Sequence, residues 1–264
     1  MTSGPVRLDA LQIGSGRPAI MALHPVGLDG RALGSLAACL AHDRVVLAPS
    51  LRGHGASPAP AAPWTVRELA ADVHRLLSEA EQAPADVLGI SLGGMVAQQL
   101  AIDHPTAVRS LVLISTTGGF DAPARAAIRL RGERALVAGM EAVVDETLAR
   151  WFSLAARTGA LAARVRGQLL EADPRAWAAT WDAMAGFDAR SQLGQVEQPT
   201  LVLAGDEDAS TPPSVAKELA GALPRAHLHV EPGASHLAPL EHPDRYGRLV
   251  CDFLARSSAL ASAS

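Results

Sequence analysis

A serine set among glycines, Gly-Ile-Ser-Leu-Gly at residues 89–93, is the feature of this 264-residue chain best suited to chemistry. A serine hydroxyl attacks a carbonyl only when a base takes its proton and donors hold the oxyanion that forms. The pattern G-x-S-x-G fits a nucleophile elbow, where a short apolar run (Val87–Ile90) turns sharply into a helix. Glycines at 89 and 93 remove collisions with strand and helix and leave the Ser91 oxygen free. The helix beginning at Leu92 aims its first N–H groups and its dipole at the reaction centre.

The base is expected to be a histidine. On an elbow of this kind the chain order is Ser, acid, His, which leaves His104, His227, His229, His236 and His242. His236 lies in the loop after the last apolar run, where it can reach over the elbow, and it is chosen. The acid is sought at the end of an earlier strand, in "GDEDASTPP". Asp208, deeper in that loop, is preferred for orienting the imidazole, with Asp206 as the alternative that could instead hold the turn.

One oxyanion donor is expected from the Leu92 N–H and the other from the loop "HPVGLDG". Pro25 has no N–H, so Val26 is the donor there. His24 is kept among residues that could touch substrate, although a histidine in such a loop often bonds backbone instead. His54, in "RGHGAS", reads as structural.

These residues need a scaffold that brings distant loops together. Apolar runs at 19–23, 44–48, 86–90, 110–114, 200–205 and 226–231 read as strands buried on both faces, as in a parallel sheet. Helical patterns at Arg31–Ala41, Thr65–Gln82, Leu92–Asp103, Ser214–Leu223 and Pro243–Ala255 alternate with them, which argues a doubly wound α/β sheet. Thr65 with Glu68 forms a capping-box signature. The alternation breaks once. Residues 120–191 read as helices only and carry most of the aromatic side chains. The expected division is a core of residues 1–119 and 192–264 with a helical cap of residues 120–191. Such an insertion sits over the carboxyl edge of the sheet, where ligands bind. Within it Arg150, Trp151 and Trp181 are the expected substrate contacts.

Bulk properties narrow the class. A formal charge of −4 gives no nucleic-acid footprint. Two cysteines, Cys39 and Cys251, make neither a disulfide framework nor a metal site and read as small buried residues. No signal peptide or bilayer-length apolar run is evident, and the segment "SSALASAS" at the end reads as frayed. The expectation is a cytoplasmic enzyme with no cofactor and no metal, whose partner is a small-molecule substrate. Neither nucleic acid nor membrane is expected, and a homodimer is left open.

The segments "HPVG", "RGHGAS", "GISLGG", "GDEDASTPP" and "GASHLAPLEHP" together resemble the α/β-hydrolase family over nearly the whole chain. The resemblance implies an α/β-hydrolase fold: a mostly parallel central sheet flanked by helices, with an inserted helical cap. It also implies a triad of Ser91, Asp208 and His236 and an oxyanion hole at Val26 and Leu92. The cap segment 131–152 and residues 181–205 are similar to 3-oxoadipate enol-lactonases, which hydrolyse a small carboxylated enol-lactone without a cofactor. Two departures from many relatives are Pro25 after His24 and Ser50 before "LRGHG". A serine nucleophile and the lack of a cap tyrosine argue against epoxide hydrolase and dehalogenase chemistry. The function expected is hydrolysis of a small lactone or ester through an acyl-enzyme. The alternatives are thioester or C–C hydrolysis, cofactor-free peroxidation, and a ligand-binding receptor with little turnover.

Overall fold

In the computed structural model, residues 4, 6–61 and 63–262 are described, and the side chains of 260–262 are not. Residues 1–3 and 5 of the segment read as lacking a leader, residue 62 of the segment "SPAPAAP" (57–63), which reads as a surface loop, and residues 263–264 of the tail read as frayed therefore lie outside the description. Seven strands form one sheet: β1 (Ala10–Ile13), β2 (Ile20–Leu23), β3 (Val46–Pro49), β4 (Ala85–Ile90), β5 (Val108–Ile114), β6 (Thr200–Gly205) and β7 (Ala226–Glu231). Their spatial order is β1-β3-β2-β4-β5-β6-β7. All neighbouring pairs are parallel except β1 with β3. β1 has no counterpart among the expected strands. It is a four-residue edge strand with only part of its surface buried, so its apolar pattern is weak.

The inner strands are apolar because both faces are covered; β2, β3, β4 and β6 are buried throughout. Helices α1 (Gly34–Leu40), α2 (Val66–Glu79), α3 (Leu92–Asp103), α8 (Pro213–Ala222), α9 (Ala238–Glu241) and α10 (Pro243–Ser262) belong to this core. The start of α2 carries the capping box in full. The Glu68 N–H donates to Thr65 Oγ1 at 3.2 Å, and the Thr65 N–H to Glu68 Oε2 at 2.8 Å. α10 runs through Ser262, beyond the point where the sequence reads as frayed. Cys39 and Cys251 are free thiols and half-buried, not buried. Among the described residues no helix is long and apolar enough to cross a membrane.

Between β5 and β6 the chain leaves the sheet as four helices, α4 (Ala122–Ala138), α5 (Glu141–Trp151), α6 (Ala160–Glu171) and α7 (Pro174–Gly186). Trp151, Phe152, Trp177, Trp181 and Phe187 are all buried there. Parallel pairing puts the carboxyl ends of β2, β4, β5, β6 and β7 on one edge of the sheet. The loops after β2, β4, β6 and β7 carry the residues singled out above.

One polar network sits inside the core. Asp86, 1% exposed in β4, receives Arg44 at 2.7 Å, Arg109 at 2.9 Å and the Ser110 hydroxyl at 2.6 Å. A buried carboxylate is tolerated because its lone pairs are filled.

Candidate active site

Ser91 follows the last residue of β4 and caps α3 with φ 53° and ψ −114°. This positive φ is rare for a residue with a side chain and marks stored strain. Neighbouring glycines make the bend sterically feasible. A Cβ on Gly89 would lie 2.2 Å from the Gly93 carbonyl oxygen, and one on Gly93 would lie 2.2 Å from the Leu23 carbonyl oxygen. Both obstacles are backbone, so no side-chain rotation relieves them. From the other side the strand end is fixed by two bonds. The Ser91 N–H donates to Ile114 at 2.9 Å, and the Thr116 hydroxyl donates to the Ser91 carbonyl at 2.7 Å.

The loops after β6 and β7 converge on one histidine. His236 Nδ1 faces Asp208 at 2.8 Å to Oδ2 and 3.1 Å to Oδ1. Both side chains are almost wholly buried. Asp208 also accepts the Thr211 hydroxyl at 2.7 Å, the Thr211 N–H at 2.9 Å and the Ser210 N–H at 2.8 Å. Burial alone would push the Asp208 carboxyl up. The charge and hydrogen bond of His236, with the Thr211 donors, outweigh it and hold the group at about 2. Asp206 lies outside the pair and does not brace its own turn; its Oδ1 accepts the Gly233 N–H at 2.6 Å and ties the loop after β6 to the loop after β7. With Nδ1 turned to the carboxylate, the Nε2 side of His236 is the one left to serve as a base.

Ser91 and His236 line a common cavity of about 460 Å³ between the sheet edge and the cap. Val26 lines it too. Leu92 is the first residue of α3, so its N–H has no partner within the helix. The Val26 N–H donates to no protein acceptor among the described residues. The cap closes on this loop: a Cβ on Gly27, where φ is 76°, would lie 2.6 Å from both Leu169 and Trp177.

Trp151 and Trp181 line the cavity, and two of the expected substrate contacts do not. His24 is fully buried, with no surface toward the cavity. The Leu51 N–H donates to its Nε2 at 2.8 Å, and its Nδ1 bonds the Pro25 carbonyl at 2.8 Å. The ring is a neutral strut between two loops, and burial first, then the neighbouring His54, lower it to about 3. Arg150 faces a small notch beside that cavity, with Arg134 and Glu146, and pairs with Glu146 at 3.3 Å; Arg131, Trp151 and Trp181 border both spaces. The cation in the main cavity is Arg131, with Arg190 at the rim. Arg131 shares a face of α4 with Ala124, Ala127 and Ile128. That small, apolar stripe at helical spacing is the signal that points it inward. Among the described residues no group of three or more His, Cys, Asp or Glu side chains is arranged to hold a metal ion.

An alpha/beta hydrolase fold family model matches residues 30–243. The chain belongs to the alpha/beta hydrolase family. It is 34% identical over 250 residues to a pimeloyl-[acyl-carrier protein] methyl ester esterase of Chromobacterium violaceum, covering 90% of this chain and 94% of that one. It is 27% identical over 207 residues to 3-oxoadipate enol-lactonase 2 of Acinetobacter baylyi, covering 78% and 76% of the two chains. The crystal structure of an enol-lactonase from Burkholderia xenovorans LB400 superposes with a TM-score of 0.90 at 29% identity, covering 95% and 97%.

Proposed function

We propose that this alpha/beta hydrolase cleaves a small ester or lactone through an acyl-enzyme on Ser91. The observation that carries the proposal is the strained Ser91 sharing one cavity wall with a His236 whose far nitrogen is held by a buried Asp208. The ester- and lactone-cleaving relatives support the bond type.

His236 Nε2 takes the Ser91 proton as Oγ attacks the carbonyl carbon. The Val26 and Leu92 N–H groups stabilise the oxyanion. Collapse breaks the bond to the leaving oxygen, which receives the proton from His236. Water then attacks the acyl-enzyme, gives its proton to His236, and the acid departs as Ser91 recovers its own. Asp208 remains ionised throughout and fixes the ring. No step calls for a cofactor, and the partner is a small molecule of a size that fills the cavity.

The test is Ser91→Ala. Turnover of p-nitrophenyl butyrate falls by roughly three to six orders of magnitude, and labelling by a fluorophosphonate probe disappears with it. Wild-type turnover in a folded Ser91→Ala protein would overturn the assignment.

A further inference from the structure

β7 ends the sheet on the side away from β1, and among the described residues no strand pairs with its outer edge. Ala226–Glu231 run in unbroken register beside β6. Free N–H and C=O groups on such an edge recruit another strand, so edges are commonly guarded by Lys, Pro or a bulge. β7 has no lysine, no proline and no bulge. Two of its side chains are large and apolar yet stand in solvent, Leu228 at 38% exposed and Val230 at 36%.

The ladder with β6 fixes which groups are free. The Thr200 N–H donates to the Arg225 carbonyl at 3.0 Å, and the Asp206 N–H to the Glu231 carbonyl at 3.2 Å. A parallel ladder turns alternate residues of a strand toward one neighbour, so the odd-numbered residues of 225–231 face β6. The N–H and C=O groups of Ala226, Leu228 and Val230 therefore point out from the edge. Side chains alternate too, between the two faces of the sheet. His227 and His229 stand on the α10 face, beside a groove of about 710 Å³ floored by Leu201, Leu203, Leu249 and Phe253. Leu228 and Val230 stand on the opposite face.

We propose that β7 pairs antiparallel with β7 of a second copy of this chain, about a two-fold axis at Leu228, so that one sheet runs through a homodimer. The sequence selects that axis. With Leu228 opposite itself, Ala226 lies opposite Val230, and every outward N–H and C=O of the three finds a partner in the second copy. An axis at His229 sets Ala226 against Pro232, and an axis at His227 sets Val230 against Pro224; neither proline has an N–H to give. Charge agrees with the same register, because Arg225 comes opposite Glu231 of the second copy, once at each end of the paired strands. Arg225 is exposed, and its guanidinium meets the Glu197 carbonyl at 3.3 Å. Glu231 is a buried carboxylate that faces Arg245 and, at 2.7 Å, His229. A strand with a cation at one end, an anion at the other and apolar residues between is complementary to itself under a two-fold. That favours a second copy over a strand of another protein.

Sedimentation velocity over a dilution series of the full chain reads the assembly. Wild type sediments as a dimer that gives way to monomer on dilution. Leu228→Lys sets two like charges on the axis and raises the dimer Kd by about a hundredfold or more. Arg225→Glu raises it by about tenfold or more at low salt, and added salt shrinks the difference. Leu228→Pro removes an N–H that the β6 ladder does not use. Its far-UV circular dichroism stays that of wild type while the dimer is lost. Cross-linking reads the register. With Cys39→Ser and Cys251→Ser in place, oxidised glutathione joins Leu228→Cys to its own copy, since directly opposed residues lie within reach of a disulfide, and leaves Val230→Cys unjoined. Wild type that is monomeric at every concentration would overturn the inference. So would a dimer whose Kd is unchanged in folded Leu228→Lys and Leu228→Pro, because another face would then hold it. Cross-linking through Val230→Cys in preference to Leu228→Cys would overturn the axis.

Discussion

The Trp151 indole lies 6.1 Å from the His236 imidazole, centre to centre, with the ring planes 29° apart. The Leu237 N–H, next in sequence to His236, donates to the Trp151 carbonyl at 3.0 Å. The end of α5 in the cap thus braces the loop that carries the imidazole. Trp151→Ala should lower kcat on a neutral ester by about tenfold or more, along with about 3–5 kcal/mol of stability for the lost core volume. Trp151→Phe, which keeps a ring there, should retain most of both. A folded Trp151→Ala protein with wild-type kcat would show that the brace does not position His236.

Thr211 contributes a hydroxyl and an N–H to the same carboxylate, at 2.7 and 2.9 Å. Thr211→Val removes the hydroxyl alone. A hydrogen bond to a charged, buried acceptor contributes about 2 kcal/mol, so urea unfolding at pH 7 should register a loss of that order, and kcat should fall several-fold. The sign against pH follows from the depressed carboxyl. Asp208 titrates at about 2 when folded against an ordinary 3.8. Its stabilisation is therefore complete above the unfolded value and is lost as pH falls from there through 2. In Thr211→Val the folded carboxyl rises, so the acid limb still begins at the unfolded value but ends at higher pH and has a smaller amplitude. An unchanged limb would mean that the hydroxyl does not support the charge.

How much of this was legible in the sequence depends on how local the determinant was. Ser91 was readable because the glycines, the apolar run and the helix that make the elbow lie within fifteen residues. Asp208 and His236 followed from strand ends and chain order. His24 was not readable in the same way. A histidine among Pro25 and Gly27 resembles a site residue, but its orientation is set by the Leu51 N–H on a separate loop. Arg150 was named, and Arg131 was not, for a related reason. Both sit on cap helices rich in arginine, and the short apolar stripe of Ala124, Ala127 and Ile128 beside Arg131 is too weak a signal to pick it out before the packing of α4 on α7 is seen. β1 escaped notice because four residues, three half-buried and one exposed, carry too little periodicity to separate them from a loop.

Gly93 couples the elbow to the oxyanion loop. Its missing Cβ is replaced by the Leu23 carbonyl, one residue before His24. Gly93→Ala should therefore displace the end of β2 and with it the Val26 N–H. The stability loss should be about 1–3 kcal/mol, and kcat/KM should fall further than the folded fraction accounts for. Gly186→Ala is the control, because a Cβ there meets nothing within 4 Å. It should leave turnover intact and change stability by no more than about 1 kcal/mol. Equal effects from the two substitutions, read by Tm and kcat/KM together, would remove Gly93 from the account of the site.

His24 and His54 make the protein sensitive to mild acid in a window that opens well above that of Asp208. Their rings lie 5.0 Å apart and both are buried. Burial, then the charge of His54, carries His24 down to about 3. Burial carries His54 down to about 4, against the upward pull of the Arg52 and Leu51 carbonyls and Asp29. In the unfolded chain both would titrate at the ordinary 6.5. Between that value and the folded ones the unfolded state binds protons that the native state refuses. Stability is therefore full above 6.5 and declines as pH falls toward 4 and 3. Each ring contributes a slope of about 1.4 kcal/mol per pH unit within its window. Urea unfolding of wild type at pH 7, 6 and 5 should show this decline, and His24→Gln should flatten it by about one ring's share. Parallel curves for the two proteins would mean that His24 is already free to take up a proton in the folded state. The bond from the Leu51 N–H to its Nε2 would then not be holding the loop.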